Sequence, residues 1–171
     1  MTNRAQNAPR RSAARLAAVQ ALYEIDLIGV PPTPVLKEFI DHRWHDMTHS
    51  EQDDEDHENL SNLPKPEQRF LKRIVHGVTN DIESLDTAIA PQLKSPWVID
   101  QLDTLVRAIL RAGAFEFIQC PEIRARIVIS EYVGLAHAFF SDNEPAFINA
   151  VLDGLAGHYR SNEFSESPLT S

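Results

Sequence analysis

Four groups of residues could do chemistry by their type and spacing. His42, His45, His49 and His57 lie among carboxylates, and His45 and His49 are four apart, as zinc-binding pairs on one helix face are. No glutamate follows His45 in the metalloprotease pattern, and a loose acidic loop does not preform a coordination shell. The segment is therefore read as a solvated loop, with no metal and no cofactor expected. Cys120 stands before a proline with no activating neighbour and is read as an inert, buried thiol. Gly154 and Gly157 match a GxxG loop, but Leu155 and Ala156 between them supply no donor or cation for a nucleic-acid backbone. No phosphate loop, dinucleotide fingerprint or G-x-S-x-G elbow is present, so nothing argues for an enzyme.

The fourth group is the informative one. The first 23 residues carry four arginines and no acid. Arg11 and Arg15 are four apart, so a helix puts them on one face. With Arg10 they present planar forks of donors suited to phosphate. At a helix start they would repel the dipole, and an arriving polyanion would relieve that repulsion and meet free amides. Spacing alone also allows a solvated, frayed cationic end. Tyr23 and Phe147 sit at helical spacing and read as core, although an aromatic at a groove edge can stack a base.

Those residues need elements to position them. Leu16, Val19, Tyr23 and Leu27 predict a helix over 10–28, stopped by Gly29 and Pro31. A second helix is expected over about 33–46. The stripe Leu71, Ile74, Val75, Val78, Ile82, Leu85 and Ile89 predicts one continuous helix ended by Pro91. Ser95 with Pro96 reads as the capped start of the next, which continues through Leu102 to Phe117. Residues 123–129 alternate like a strand, but Val128, Tyr132, Leu135, Ala136 and Phe139 favour a helix over a longer stretch. Asp142 or Asn143 caps the last helix, whose stripe runs from Phe147 to Tyr159. The expectation is an all-α fold of six or seven helices. An N-terminal bundle spans about 10–91 and a C-terminal one about 95–160, packed together, with loose ends at 1–9 and 161–171.

Composition sets the remaining bounds. The 171 residues suffice for a core, and one cysteine allows no intrachain disulfide. There is no secretory leader and no bilayer-length apolar run, so a cytoplasmic, membrane-free protein is expected. The net charge of −9 is segregated: eight carboxylates and one arginine between 41 and 58 account for −7 of it. Residues 47–63, acidic and poor in aromatics, are expected to form a mobile insertion.

The blocks along the chain resemble the NusB family of bacterial transcription antitermination factors. Arginines precede Ala18-Val19-Gln20-Ala21-Leu22-Tyr23. Val75 to Val78 contains Gly77, and Ile109-Leu110-Arg111 is followed by Glu116. Ser130, Glu131, Leu135 and Ala136 form a fourth block, and Phe147 to Asp153 closes the series. Ser130, Ala146, Ala150 and Gln92 depart from residues frequent in the family. The resemblance implies two helical bundles and a function without catalysis. It implies binding of single-stranded boxA RNA together with the ribosomal protein NusE, in support of RNA polymerase and other Nus factors on ribosomal RNA operons. Carried over by position, Arg10, Arg11, Arg15, Tyr23, Asn143 and Phe147 face RNA. Arg111, Glu116 and Glu131 look architectural. Two other readings stand beside it. One is a helical adaptor that binds only protein. The other is a module like the N-terminal part of RNA cytosine methyltransferases, which would need an α/β domain that has no signature here.

Overall fold

The computed structural model describes residues 3–43 and 64–165, and among these residues every regular element is helical. α1 spans Asn3–Ile28 and α2 spans Pro32–Glu38, widening into a π-type turn at Phe39–Arg43. α3 is Gln68–Asn80, α4 Ile82–Ile89, α5 Thr104–Gln119, α6 Ala125–Phe139 and α7 Glu144–Tyr159. The chain divides into two units, Met1–His76 and Gly77–Ser171. The division falls inside α3, upstream of the 91–95 boundary drawn from the proline pattern.

In the first unit α1 is rich in alanine, the best helix former, and every residue from Ala13 to Val19 is buried. Gly29 ends the helix at φ +73, a conformation that costs glycine little, and its N–H bonds the Ile25 carbonyl at 2.9 Å. Pro32 then sits at the first position of α2, where its missing N–H is not needed. Arg43 ties this corner together: its Nη atoms grip the Glu24 carboxylate and its Nε donates to Glu38 Oε1 at 2.9 Å. Its guanidinium lies 4.9 Å above the Phe39 ring. The hydrogen bonds to Glu24 hold the Arg43 pKa above its ordinary value, against the opposing effect of burial.

In the second unit α5 is the central helix, buried without interruption from Ala108 to Phe117 and packed by α4, α6 and α7. The charges it buries are paired. Arg111 donates Nε and Nη2 to the two Asp86 oxygens at 2.8 Å each, and Glu116 accepts from the Tyr132 hydroxyl at 2.7 Å. Arg111 and Glu116 thus join helices, as their architectural reading implies.

Four boundaries differ from the sequence expectation. α1 starts at Asn3 and carries Pro9 inside it. The single stripe of residues 71–89 breaks at Asp81, which adopts φ −120 and ψ 26. Asn80 and Asp81 are poor helix-interior residues because their side chains compete for backbone groups. Ser95 and Pro96 form a turn, and the helix instead starts beyond Asp103, whose Oδ1 accepts from the Leu105 and Val106 amides at 2.8 and 3.4 Å. The tail begins with a short 3₁₀ turn, Ser161–Glu163, anchored by Arg160. The segment 123–129 is helical from Ala125, and Ala125, Val128, Tyr132 and Ala136 form its buried face. The far end of the second helix and the acidic insertion lie outside the described residues.

Candidate nucleic-acid interface

Arg10, Arg11 and Arg15 lie well inside α1, two or more turns from its start at Asn3. Their nearby amides therefore belong to the helical ladder, and the expected contribution of free helix-end amides to anion binding falls away. A different feature organises them. The segment entering α3 runs alongside, and the Glu67 N–H bonds the Arg10 carbonyl at 3.0 Å. Arg10 is exposed and donates Nε to the Lys65 carbonyl at 3.3 Å. Arg11 is part-buried and donates Nε to Glu67 Oε2 at 3.1 Å. Arg15 is only 2% exposed. The guanidinium carbons of Arg11 and Arg15 both lie 5.1 Å from the centre of the Phe70 ring.

These environments separate three arginines that look alike in sequence. Arg10 and Arg11 keep access to solvent, whereas Arg15 is a buried support. Tyr23 leaves the core near the end of α1, at 37% exposure, and Leu27 and Ile28 beyond it are more exposed still. The expected apolar stripe of α1 thus ends before Tyr23, which sets a large ring at the surface.

In the second unit, Asn143 is exposed at the position before α7, and its side chain makes no capping bond. Phe147 is half-buried one turn on. Its ring centre lies 6.3 Å from that of Trp97, tilted by 58°. Trp97 is 52% exposed in the turn after Pro96, and the sequence reading passed over it. A tryptophan in a proline-bounded turn, outside any apolar stripe, was the available signal.

α3 holds a second feature that the apolar stripe hid. Arg69, Lys72, Arg73 and His76 recur at spacings of three and four, opposite the buried Phe70, Leu71, Ile74 and Val75. Lys72 and His76 line a groove of about 420 Å³ with Lys37, Leu36 and Ile40 of the α2 region. The GxxG pair lies within α7, so it is no loop, and a Cβ on Gly154 would meet the Gln92 side chain at 2.1 Å. Cys120 is buried. Among the described residues no group of three metal-ligating side chains occurs, and no helix is long and apolar enough to cross a membrane. His45, His49 and His57 lie outside the described residues.

Comparison with known proteins gives these features a frame. The model of the NusB family matches residues 12–157. The chain belongs to the NusB family. A transcription antitermination protein NusB of Bradyrhizobium sp. (strain ORS 278) is 40% identical over 161 residues, covering 94% of this chain and 90% of the relative. That of Rhizobium rhizogenes (strain K84 / ATCC BAA-868) is 40% identical over 156 residues, covering 91% of each. Members of the family are transcription antitermination proteins and not enzymes. Among solved structures, the NusB of T. maritima superposes with a TM-score of 0.68 at 21% identity, covering 90% of this chain and 96% of the other. The solution structure of NusB from Aquifex aeolicus gives 0.63 at 27% identity, with 94% and 96% covered. A crystal structure of NusB and NusE in complex with dsRNA gives 0.66 at 24% identity, with 89% and 97% covered.

Proposed function

We propose that this NusB-family chain acts in the cytoplasm by binding boxA-type single-stranded RNA together with NusE, in support of RNA polymerase and other Nus factors on ribosomal RNA operons. The observation that carries the reading is the pair Arg10 and Arg11. Both are accessible on one stretch of α1 and are held there by Lys65, Glu67 and Phe70. A NusB of the same fold has been crystallised with NusE and dsRNA, which supports NusE and RNA as classes of partner. Phosphate contacts give affinity and register, while stacked bases and base edges give sequence preference. Arg10 and Arg11 supply the first kind of contact, and Tyr23, Phe147 and Asn143 are assigned the second. The test is RNA affinity as a function of salt. Two phosphate contacts on a single strand correspond to a log–log slope of about −1.4. Changing Arg10 and Arg11 together to alanine should flatten the slope and weaken binding to boxA and unrelated RNA alike. Unaltered binding would mean that RNA is held by residues other than Arg10 and Arg11, whereas no RNA binding by the wild-type chain would leave the protein-only adaptor as the better reading.

A further inference from the structure

We propose that Phe70 is a positioning residue for RNA binding: its ring holds Arg11 on one side chain contact and Arg15 on another, so that the Arg11 fork is ordered before a phosphate arrives. The inference rests on the RNA-binding reading and adds to it a residue that touches no RNA.

Phe70 is almost fully buried, yet it is not simply core. Two guanidinium groups approach its ring at the same distance, 5.1 Å, within the range where a cation is attracted by the ring quadrupole. Arg15 is buried and Arg11 is not, so the ring links a fixed cation to an accessible one. The bond to Glu67 engages Arg11 Nε, and the terminal Nη pair is what the guanidinium can still offer a phosphate. An unsupported arginine loses much rotamer freedom on binding. One already laid on a ring and tied at Nε loses less, which is gained as affinity. Glu67 holds Arg11 at Nε, and the ring, 5.1 Å from the guanidinium carbon, gives the group a second point of support. Leucine fills a similar apolar site without a quadrupole, whereas tyrosine keeps the aromatic face.

The experiment measures the affinity of the full chain for a boxA-type single-stranded RNA across a salt series, in wild type, Phe70→Leu and Phe70→Tyr. Helical signal and melting temperature are recorded in parallel. Phe70→Leu should bind roughly three- to tenfold more weakly, in the range expected for losing a cation–ring contact, with a flatter salt slope. Phe70→Tyr should restore most of the affinity. Phe70→Leu binding like wild type while folded would overturn the proposal, as would equal weakening by Leu and Tyr. Should Phe70→Leu fail to fold, a fluorinated phenylalanine at position 70 keeps the shape and drains the ring face. Weaker RNA binding in that variant supports the proposal, and unchanged binding overturns it. A separate pair of variants, Arg10→Ala and Arg11→Ala, tests the reading beneath. If those bind RNA as tightly as wild type, RNA binding through this surface is wrong. If they bind weakly while Phe70→Leu does not, only the positioning role is wrong.

Discussion

Arg10, Arg11 and Arg15 share a side chain and a stretch of helix but not an environment. Arg10 is exposed and bound to one carbonyl, while Arg15 is shut away beside Phe70. Their substitutions should therefore separate by observable. If the proposed function holds, Arg10→Ala removes one phosphate contact and should flatten the RNA salt slope by about 0.7 with little change in melting temperature. Arg15→Ala removes a buried polar group from its partners and should cost about 1–3 kcal/mol of stability. Its own direct share in the salt slope should be small. A denaturant melt and an RNA titration on each variant distinguish the two. Equal salt effects from both would show that Arg15 reaches the strand after all.

Arg160 shows a residue-scale role that the sequence concealed, since it follows the last apolar stripe and only borders the tail expected from residue 161. It is buried and donates to the carbonyls of Phe117, Cys120 and Ile123 at 2.7, 2.8 and 3.2 Å. These oxygens lie at and beyond the C-terminal end of α5, where the helix leaves carbonyls without partners. Glu163 closes the set, pairing with Arg160 at 2.5 Å and accepting from the Ala125 N–H at 2.8 Å. Arg160→Met keeps much of the apolar stem but removes the guanidinium from the Phe117 and Ile123 carbonyls and the positive charge beside Glu163, which keeps only the Ala125 N–H. A loss of about 1–3 kcal/mol is expected, as for leaving buried acceptors without their donor. Thermal or chemical unfolding reads it, and a loss below about 1 kcal/mol would mean that water replaces the guanidinium.

At the scale of elements, apolar periodicity located the helices but not their joints. The stripe from Leu71 to Ile89 has no interruption in hydrophobicity, so the break at Asp81 was visible only as two poor helix formers, Asn80 and Asp81. Asp103 was similarly overshadowed by the Ser95-Pro96 pair, which has the composition of a helix start but forms a turn. The candidate surface was legible in part. Arginine type and four-residue spacing pointed to α1, but the burial of Arg15 depends on Phe70, 55 residues later, and no local pattern encodes that contact.

Gly77 gives the element scale its own test. A Cβ built there would lie 2.1 Å from the Phe115 ring, so this turn of α3 approaches α5 at glycine distance. The contact is within the second unit and uses the family's Val-x-Gly-Val block. Helix propensity alone favours Gly77→Ala, by up to about 1 kcal/mol. The clash should outweigh it, because overpacking a filled core costs about 1–3 kcal/mol. Phe115→Leu should relieve the clash, so the double variant should lose less than the two single losses combined. Chemical denaturation of the four proteins completes the cycle. A stabilised Gly77→Ala would show that the ring moves aside freely.

For the whole molecule, charge decides how RNA can be held. Outside residues 41–58 the chain carries only −2, and the RNA-facing cations assigned here are two accessible arginines. Phosphate contacts of that number give modest, largely unspecific affinity, and each stacked base adds about 1–3 kcal/mol. A specific site of useful strength needs more surface than that. Under the proposed function a basic ribosomal partner would supply it, since joining two modest surfaces raises affinity through effective concentration. This chain alone should therefore bind boxA weakly, and with NusE clearly more tightly. Linkage makes the argument reciprocal: if NusE strengthens RNA binding by some factor, boxA must strengthen the contact between the proteins by the same factor. Titrating RNA with and without NusE, and NusE with and without RNA, measures that factor twice. Two agreeing factors well above one support a shared site. Equal RNA affinity with and without NusE would mean that this chain reads RNA unaided, and a surface beyond Arg10 and Arg11 would then have to supply the missing contacts.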